Sequence, residues 1–368
     1  MGQKYIWQHK EWPKLTWDSS QIISDLAQAR LKQGRLLSLA KDLQLVDTAE
    51  ALINETIMTS TIEGENLNRQ SVKSSVSRKL GLSTVGVQKQ DRLIEGLVEM
   101  LLDSTQNYDK PLTEQRLFGW QAALFPTSYS GIYKIQVGGW RTNQEPMQVV
   151  SGPMGREKIH FEAPDSKKIE KEMSTFLKWF KNVDNTIDGL VRSAVAHFWF
   201  ITIHPFSDGN GRIARAITDM ALAQDEKNKF RLYSLSSQIN NLRSEYYDVL
   251  EKCQKGNCNI TDWIKWFLKI YSQSIDHSES MISHTLKVSQ FWKRNQNIEL
   301  NSRQRKVIQK ILEHGPDGFE GGITNRKYVS LTKTSRESAK RDLADLEDKK
   351  IIIRLGSAGR SVSYRLNL

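Results

Sequence analysis

Apolar positions recur along most of this chain at spacings of three and four, the period of an amphipathic helix. Residues 19–43 carry Ile22, Ile23, Leu26, Ala29, Leu37, Leu39 and Leu43 among polar neighbours, with Gly34 weakening the middle. Residues 46–63 carry Val46, Ala49, Leu52, Ile53, Ile57 and Ile62, and Gly64 is a helix stop. Further helices are expected between 71 and 108, the second on Leu93, Ile94, Leu97, Val98, Met100 and Leu101. Thr113 can cap a helix over 114–124. Residues 166–182 are amphipathic on Met173, Phe176, Leu177, Trp179 and Phe180. Residues 186–203 are apolar nearly all round, which predicts a buried central helix with His197 as a core residue. Residues 236–255 and 261–296 complete the helical body, with Trp263, Trp266, Phe267, Tyr271 and Trp292 turned inward.

Three stretches break the helical period. Residues 4–17 place Trp7, Trp12 and Trp17 around Pro13, an extended arm that packs its rings on the body. Residues 130–164 are rich in Gly and Pro, with short β-branched runs at 147–150 and 159–161 on either side of Gly152, Pro153, Met154 and Gly155; this predicts a hairpin. From 299 onward a helix on Val307, Ile308, Ile311 and Leu312 breaks at 315–318. A short helix over 323–329, which Thr324 can cap, a turn at 331–334 and a third helix over 335–349 follow, and then a hairpin turning at 356–359. That order resembles a winged helix. Arg336, Lys340 and Arg341 on the third helix, with Arg360 on the wing, suit DNA phosphates. Asp342, Asp345, Glu347 and Asp348 share the helix, so DNA through 323–366 and a protein partner both stay open.

Composition narrows the setting. A chain of 368 residues with 38% hydrophobic and 26% charged positions is an ordinary globular protein. The pattern divides it into an N-terminal helical region at 1–110, a core at 111–297 and a C-terminal domain at 298–368. No apolar stretch nears the ~18 residues of a membrane span, and the N-terminus has no apolar signal core, so no membrane association is expected. Cys253 and Cys258, without a second pair or a His cluster, make neither a disulfide framework nor a zinc site; a reducing, cytoplasmic setting fits. The net charge of +11 favours an acidic partner.

The chemistry concentrates at 204–215, His-Pro-Phe-Ser-Asp-Gly-Asn-Gly-Arg-Ile-Ala-Arg. Pro205 disfavours helix at His204, so the apolar helix ends there with an imidazole at its tip. A Gly-rich loop then opens a second helix on Ile213, Ile217, Met220 and Leu222. A helix N-terminus behind Gly is an anion site. Arg212 and Arg215 share one face of its first turn and can grip phosphates bidentately. Asp208 is a hard oxygen ligand of the kind Mg²⁺ takes beside phosphate, and His204 can accept a proton near neutral pH. No Walker loop occurs. The set suits phosphoryl or nucleotidyl transfer to a hydroxyl.

This stretch is similar to the Fic motif, H-x-F-x-[D/E]-G-N-G-R-x-x-R, with every position filled. The resemblance implies a mainly α fold, a helical Fic core with a β-hairpin flap, followed here by the winged-helix domain. It implies a protein adenylyltransferase, a nucleotidyltransferase that moves AMP from ATP to a Ser, Thr or Tyr hydroxyl of a target protein, with automodification as one outcome. His204 is then the general base and Asp208 the Mg²⁺ ligand. Amides around Gly209, Asn210 and Gly211, with the Asn210 side chain, cradle the α-phosphate; Arg212 takes the β- and Arg215 the γ-phosphate. Thr59, Glu63 and Gly64 resemble the Fic inhibitory motif [S/T]-x-x-x-E-[G/N], at the end of a helix over about 46–64. That implies Glu63 clamped on Arg215, in the place of a γ-phosphate. Met147, Gln148, Val149, Val150, Ile159, His160 and Phe161 would form the flap, which holds a target segment by strand addition. Three other readings share the residues: removal of AMP, transfer of another phosphate-containing group, and an ATP-sensing DNA-binding regulator. The aromatic arm and long helices leave room for a homodimer.

Overall fold

The helical period carries most of the architecture. The computed structural model describes residues 5–39, 45–82, 91–143, 145–151, 158–182, 186–313, 319–355 and 362–368. It is mainly helical, and the chain divides into two units, Met1–Asp276 and His277–Leu368. Among the described residues no helix is long and apolar enough to cross a membrane.

The first unit opens with the arm. Its Trp7 indole N–H donates to the Glu162 carbonyl at 2.7 Å, and that of Trp12 to Glu172 at 2.9 Å. The indoles stay half-buried; Tyr5 and Ile6, in a short 3-10 turn, are the residues fully buried. Indole polarity explains the difference from the expected ring burial, because each N–H needs an acceptor at the surface of the body. Five helices follow: α1 Ser19–Leu39, α2 Leu45–Ile62, α3 Arg69–Lys79, α4 Arg92–Gln106 and α5 Glu114–Leu124. The expected extension of α1 over 40–43 lies outside the described residues. Helix α2 stops because Gly64 turns left-handed at φ +87°, letting the Glu65 N–H return to the Ser60 carbonyl at 2.9 Å. Asn68, Asp91 and Thr113 cap the next three helices with side-chain oxygens.

Helices α2, α3 and α4 share a core of Ala49, Ile53, Val72, Val76, Ile94 and Val98. Leu93, on the predicted apolar face, points outward instead. Helix α4 meets α5 at Gly96, where an added Cβ would lie 1.9 Å from the Ala123 carbonyl oxygen. Gly96→Ala should therefore destabilise this unit by about 2 kcal/mol, read as a lower urea midpoint with the slope unchanged.

Strands β1 Tyr129–Ser130 and β2 Tyr133–Lys134 form a small hairpin that the hydrophobic pattern had not announced. Strands β3 Gln148–Ser151 and β4 Lys158–Glu162 form the predicted hairpin; its expected turn at 152–155 lies outside the described residues. Val149 pairs with Phe161 and Val150 with Ile159, so His160 is an extra residue that bulges β4.

Then come α6 Ile169–Lys181, α7 Gly189–Ile203, α8 Asn210–Glu226, α9 Leu235–Asn241, α10 Arg243–Gln254 and α11 Thr261–Arg294. In α7 every residue from Leu190 onward is buried, as its apolar circumference predicts. His197 bonds Thr218 at 2.9 Å and Tyr246 at 3.0 Å, a satisfied core histidine. The helical segment expected over 236–255 holds two helices, since Leu242 leaves helical dihedrals between α9 and α10.

The second unit holds α12 Ser302–Glu313, β5 Ile323–Thr324, α13 Asn325–Thr332, α14 Arg336–Asp348, β6 Ile352–Leu355 and β7 Ser363–Leu366. Its core includes Phe291, Val307, Ile308, Tyr328, Leu343 and Ile351. Ile323 and Thr324, expected as helix, are a strand in a three-stranded sheet of order β5-β7-β6; Thr324 still caps α13. The breaks expected at 315–318 and 356–359, and Arg360, lie outside the described residues.

Candidate active site

His204 terminates α7 in the left-handed region, φ 53° and ψ 58°, with its N–H still bonded to the Phe200 carbonyl. A non-glycine residue holds this conformation only where its surroundings insist. Arg141 supplies that insistence: its Nε donates to the His204 carbonyl at 2.8 Å and its backbone N–H to the Pro205 carbonyl at 2.9 Å. Burial pulls the Arg141 guanidinium down to about 10. His204 Nδ1 lies 3.2 Å from the Ile201 carbonyl. A carbonyl only accepts, so Nδ1 carries the proton and Nε2 keeps its lone pair. Burial, reinforced by Arg141, pushes the imidazole down to about 4, so it is neutral at pH 7.

The loop after His204 is held from inside. Phe206 is buried, with its ring against Trp140 and Phe200. The Asn210 side chain accepts from the Phe206 N–H at 2.9 Å and donates to the Phe206 carbonyl at 2.8 Å. That amide holds the loop by its oxygen and by one of its two N–H bonds; Asn210 also lines the cavity, beside the first backbone N–H groups of α8, which open the corner to an anion. Gly209 turns left-handed at φ +86° against the Phe125 ring. The Asp208 carboxylate accepts from the Ser130 hydroxyl and the Gly209 N–H.

Both motif arginines are buried, their side chains 7% exposed at Arg212 and 2% at Arg215. The end of α2 reaches them. Arg215 Nε donates to Thr59 Oγ1 at 2.7 Å, and Nη2 donates to the Thr59 carbonyl at 2.9 Å and to Glu63 Oε1 at 2.7 Å. Glu63 Oε1 lies so close to Gly211 that an added Cβ there would stand 2.2 Å away. Burial would raise the Glu63 carboxyl, but Arg215, then Arg212 and His204, hold it below the usual carboxylate range. Arg212 Nη1 donates to Glu65 at 3.0 and 3.2 Å, and its guanidinium lies 5.1 Å above the Phe125 ring.

A cavity of about 630 Å³ joins these groups: Glu63, His204, Asp208, Asn210, Gly211 and Arg215 line it together with Tyr246, Tyr247 and Arg243. Gln148, Val149, Val150, His160 and Phe161 of the hairpin line it too. Of the other two hairpin residues singled out by the pattern, Met147 packs behind it on Tyr5 and Phe161, and Ile159 is exposed. The bulge turns His160 onto Glu251 of α10, which ties the hairpin to the helical body.

Several partners escaped the sequence. Ser130, Arg141 and Glu65 carry no local pattern that distinguishes them from ordinary surface or loop residues. Only Glu65 had a neighbourhood signal, since it follows the Thr59, Glu63, Gly64 set directly.

The Fic/DOC family model matches residues 111–222, and a second model, a domain of unknown function (DUF4172), matches residues 5–82. The chain is 28% identical over 137 residues to a probable protein adenylyltransferase of Aquifex aeolicus, covering 35% of this chain and 42% of that one. It is 27% identical over 115 residues to the protein adenylyltransferase fic-1 of Caenorhabditis elegans, covering 31% and 20%. The matched region is thus less than half of either relative. A Fic family protein from Desulfovibrio desulfuricans shares the fold at a TM-score of 0.55 and 18% identity, over 96% of this chain and 97% of that one. The C. elegans fic-1 structure does so at 0.51 and 18%, over 74% and 76%. A fully filled motif on the α7–α8 corner, the family match that contains it and the shared fold agree: this chain carries a Fic/DOC family domain at residues 111–222.

Proposed function

We propose that this chain is a protein adenylyltransferase, transferring AMP from ATP to a hydroxyl side chain of a target protein. The observation that carries the reading is a neutral imidazole whose Nε2 keeps its lone pair, set across one cavity from a helix N-terminus and a buried arginine. In the proposed step the target hydroxyl oxygen bonds to the α-phosphorus while its proton passes to His204 Nε2. The bond from that phosphorus to the bridging oxygen breaks, and pyrophosphate leaves. Backbone N–H groups opening α8 meet the charge that develops on the α-phosphate. Arg212 and Arg215 receive the β- and γ-phosphates once freed from the α2 turn.

Asp208 fits a magnesium ion that arrives with the nucleotide. It presents one carboxylate at the cavity, and among the described residues no group of three His, Cys, Asp or Glu side chains could cage a metal. Mg²⁺ commonly takes one or two carboxylates plus phosphate oxygens and water. The ion would neutralise phosphate charge. The hairpin β3–β4, with Val150 and Ile159 exposed on it, supports docking of an extended target segment beside the cavity. Free, buried Cys253 and Cys258, whose thiols burial pushes up, suit a cytoplasmic setting.

The test is intact mass after incubation with ATP and magnesium, followed by peptide mapping. A gain of one AMP on a hydroxyl residue supports transfer; unmodified mass in the protein and in every hydroxyl-bearing protein offered removes the reading. The proton balance sets the pH profile. With His204 near 4, transfer should stay level from about pH 8 to about pH 5.5 and fall below that as Nε2 becomes protonated. Initial rates with ATP labelled on the α-phosphate check it, and a fall centred near pH 6.5 would contradict a buried base.

A second reading concerns the C-terminal unit, and one observation favours it. The acids that would oppose DNA on α14 are partly withdrawn: Asp342 is buried against Arg303, Asn301 and Tyr328, and Asp345 accepts from Gln304 and Lys349. Arg336, Lys340 and Arg341 remain exposed. Duplex binding that weakens steeply with salt, followed by fluorescence anisotropy, supports it; no binding in low salt removes it.

A further inference from the structure

The turn that ends α2 delivers two carboxylates. Gly64, at φ +87°, reverses the chain so that Glu63 and Glu65 both face the start of α8. Glu63 takes Arg215, and Glu65 takes Arg212 with both of its oxygens, at 3.0 and 3.2 Å. Each guanidinium keeps one buried nitrogen without a hydrogen-bond partner among the described residues, Nε of Arg212 and Nη1 of Arg215. Two neighbouring cations, each held by one carboxylate and each with a donor to spare, match two adjacent phosphates.

We propose that Glu65 is a second clamp, one that sets how well this site accepts any nucleotide with a β-phosphate. It rests on the reading of Arg212 as the β-phosphate ligand. The two acids then act on different nucleotides. Glu63 competes chiefly with the γ-phosphate and so opposes ATP far more than ADP. Glu65 competes with the β-phosphate and opposes ADP and ATP alike. AMP reaches neither arginine. Removing Glu63 by itself frees Arg215 and leaves Arg212 occupied, so release of the site is complete only when both carboxylates let go. An exposed ion pair would carry little of this effect. Glu65 is 49% exposed, but its partner is buried and the competing ligand carries more charge.

The test is titration calorimetry of the full chain with AMP, ADP and ATP in magnesium, comparing wild type, Glu65→Gln and Glu63→Gly. Glu65 is half exposed, so Glu65→Gln keeps the fold. Glu65→Gln should tighten ADP and ATP about three- to ten-fold and leave AMP within about two-fold. Glu63→Gly should tighten ATP far more than ADP. Unchanged or weaker ADP binding in Glu65→Gln, while Glu63→Gly still binds ATP, overturns the second clamp and leaves the proposed function standing. Failure of all three proteins to bind ATP or ADP overturns the function and the clamp with it.

Discussion

His204→Ala is expected to lower AMP transfer by at least about a hundred-fold while ATP binding stays within about two-fold of wild type. The imidazole is placed for one task. Its Nδ1 is committed to the Ile201 carbonyl, its Nε2 keeps a lone pair, and burial keeps the ring unprotonated. The phosphate-facing groups are separate: α8 begins at Asn210, and Arg215 is held from α2. Alanine therefore removes the proton acceptor and leaves the cradle. Position 204 is left-handed, φ 53°, and alanine keeps the Cβ that makes this conformation costly. His204→Asn is the companion variant, since Asn tolerates that conformation and still cannot serve as the base. Incorporation of α-labelled phosphate measures transfer, and calorimetry measures ATP binding. Wild-type labelling in both variants removes the base assignment.

Glu63→Gly is expected to raise automodification at least about ten-fold at saturating ATP. Glu63 holds Arg215 Nη2 at 2.7 Å and fills the space above Gly211, where phosphate oxygens would approach the α8 N-terminus. Its carboxyl is held below the ordinary range, so it is ionised at neutral pH and competes as a full charge. Removing it leaves Arg215, buried at 2% exposure, without its carboxylate and held by the Thr59 hydroxyl and carbonyl. Loss of the acid leaves the buried guanidinium short of its counter-charge, so the variant should melt lower without ligand and recover when ATP supplies new acceptors. Thermal melts with and without ATP-magnesium read this beside the labelling assay. A rate that stays flat or falls would mean that Glu63 assists the site.

Legibility followed sequence distance. Thr113 and Thr324 cap the helices that start beside them, because a cap is a contact across two or three residues. The hairpin β3–β4 was readable from its β-branched runs, but not its bulge, since pairing register depends on what both strands bury. The helix expected over 323–329 begins two residues later because Ile323 and Thr324 pair with β7, a partner some forty residues on. Asn210 matched its motif, but its bonds to both the N–H and the carbonyl of Phe206 are a contact no spacing reveals.

Read alone, the chain determined that an apolar helix ends at His204, that a Gly-rich corner follows, and that two arginines share the next first turn. Pro205, the glycines and the helical period decide these within a few residues, where covalent geometry leaves few choices. Only the tertiary structure decided which acids meet those arginines and what holds the imidazole. Glu63 reaches Arg215 across 152 positions, Glu65 reaches Arg212 across 147 and Arg141 reaches the His204 carbonyl across 63. Contacts of that span form when buried helix faces pack and close long loops, so they are properties of the folded core and not of any local stretch.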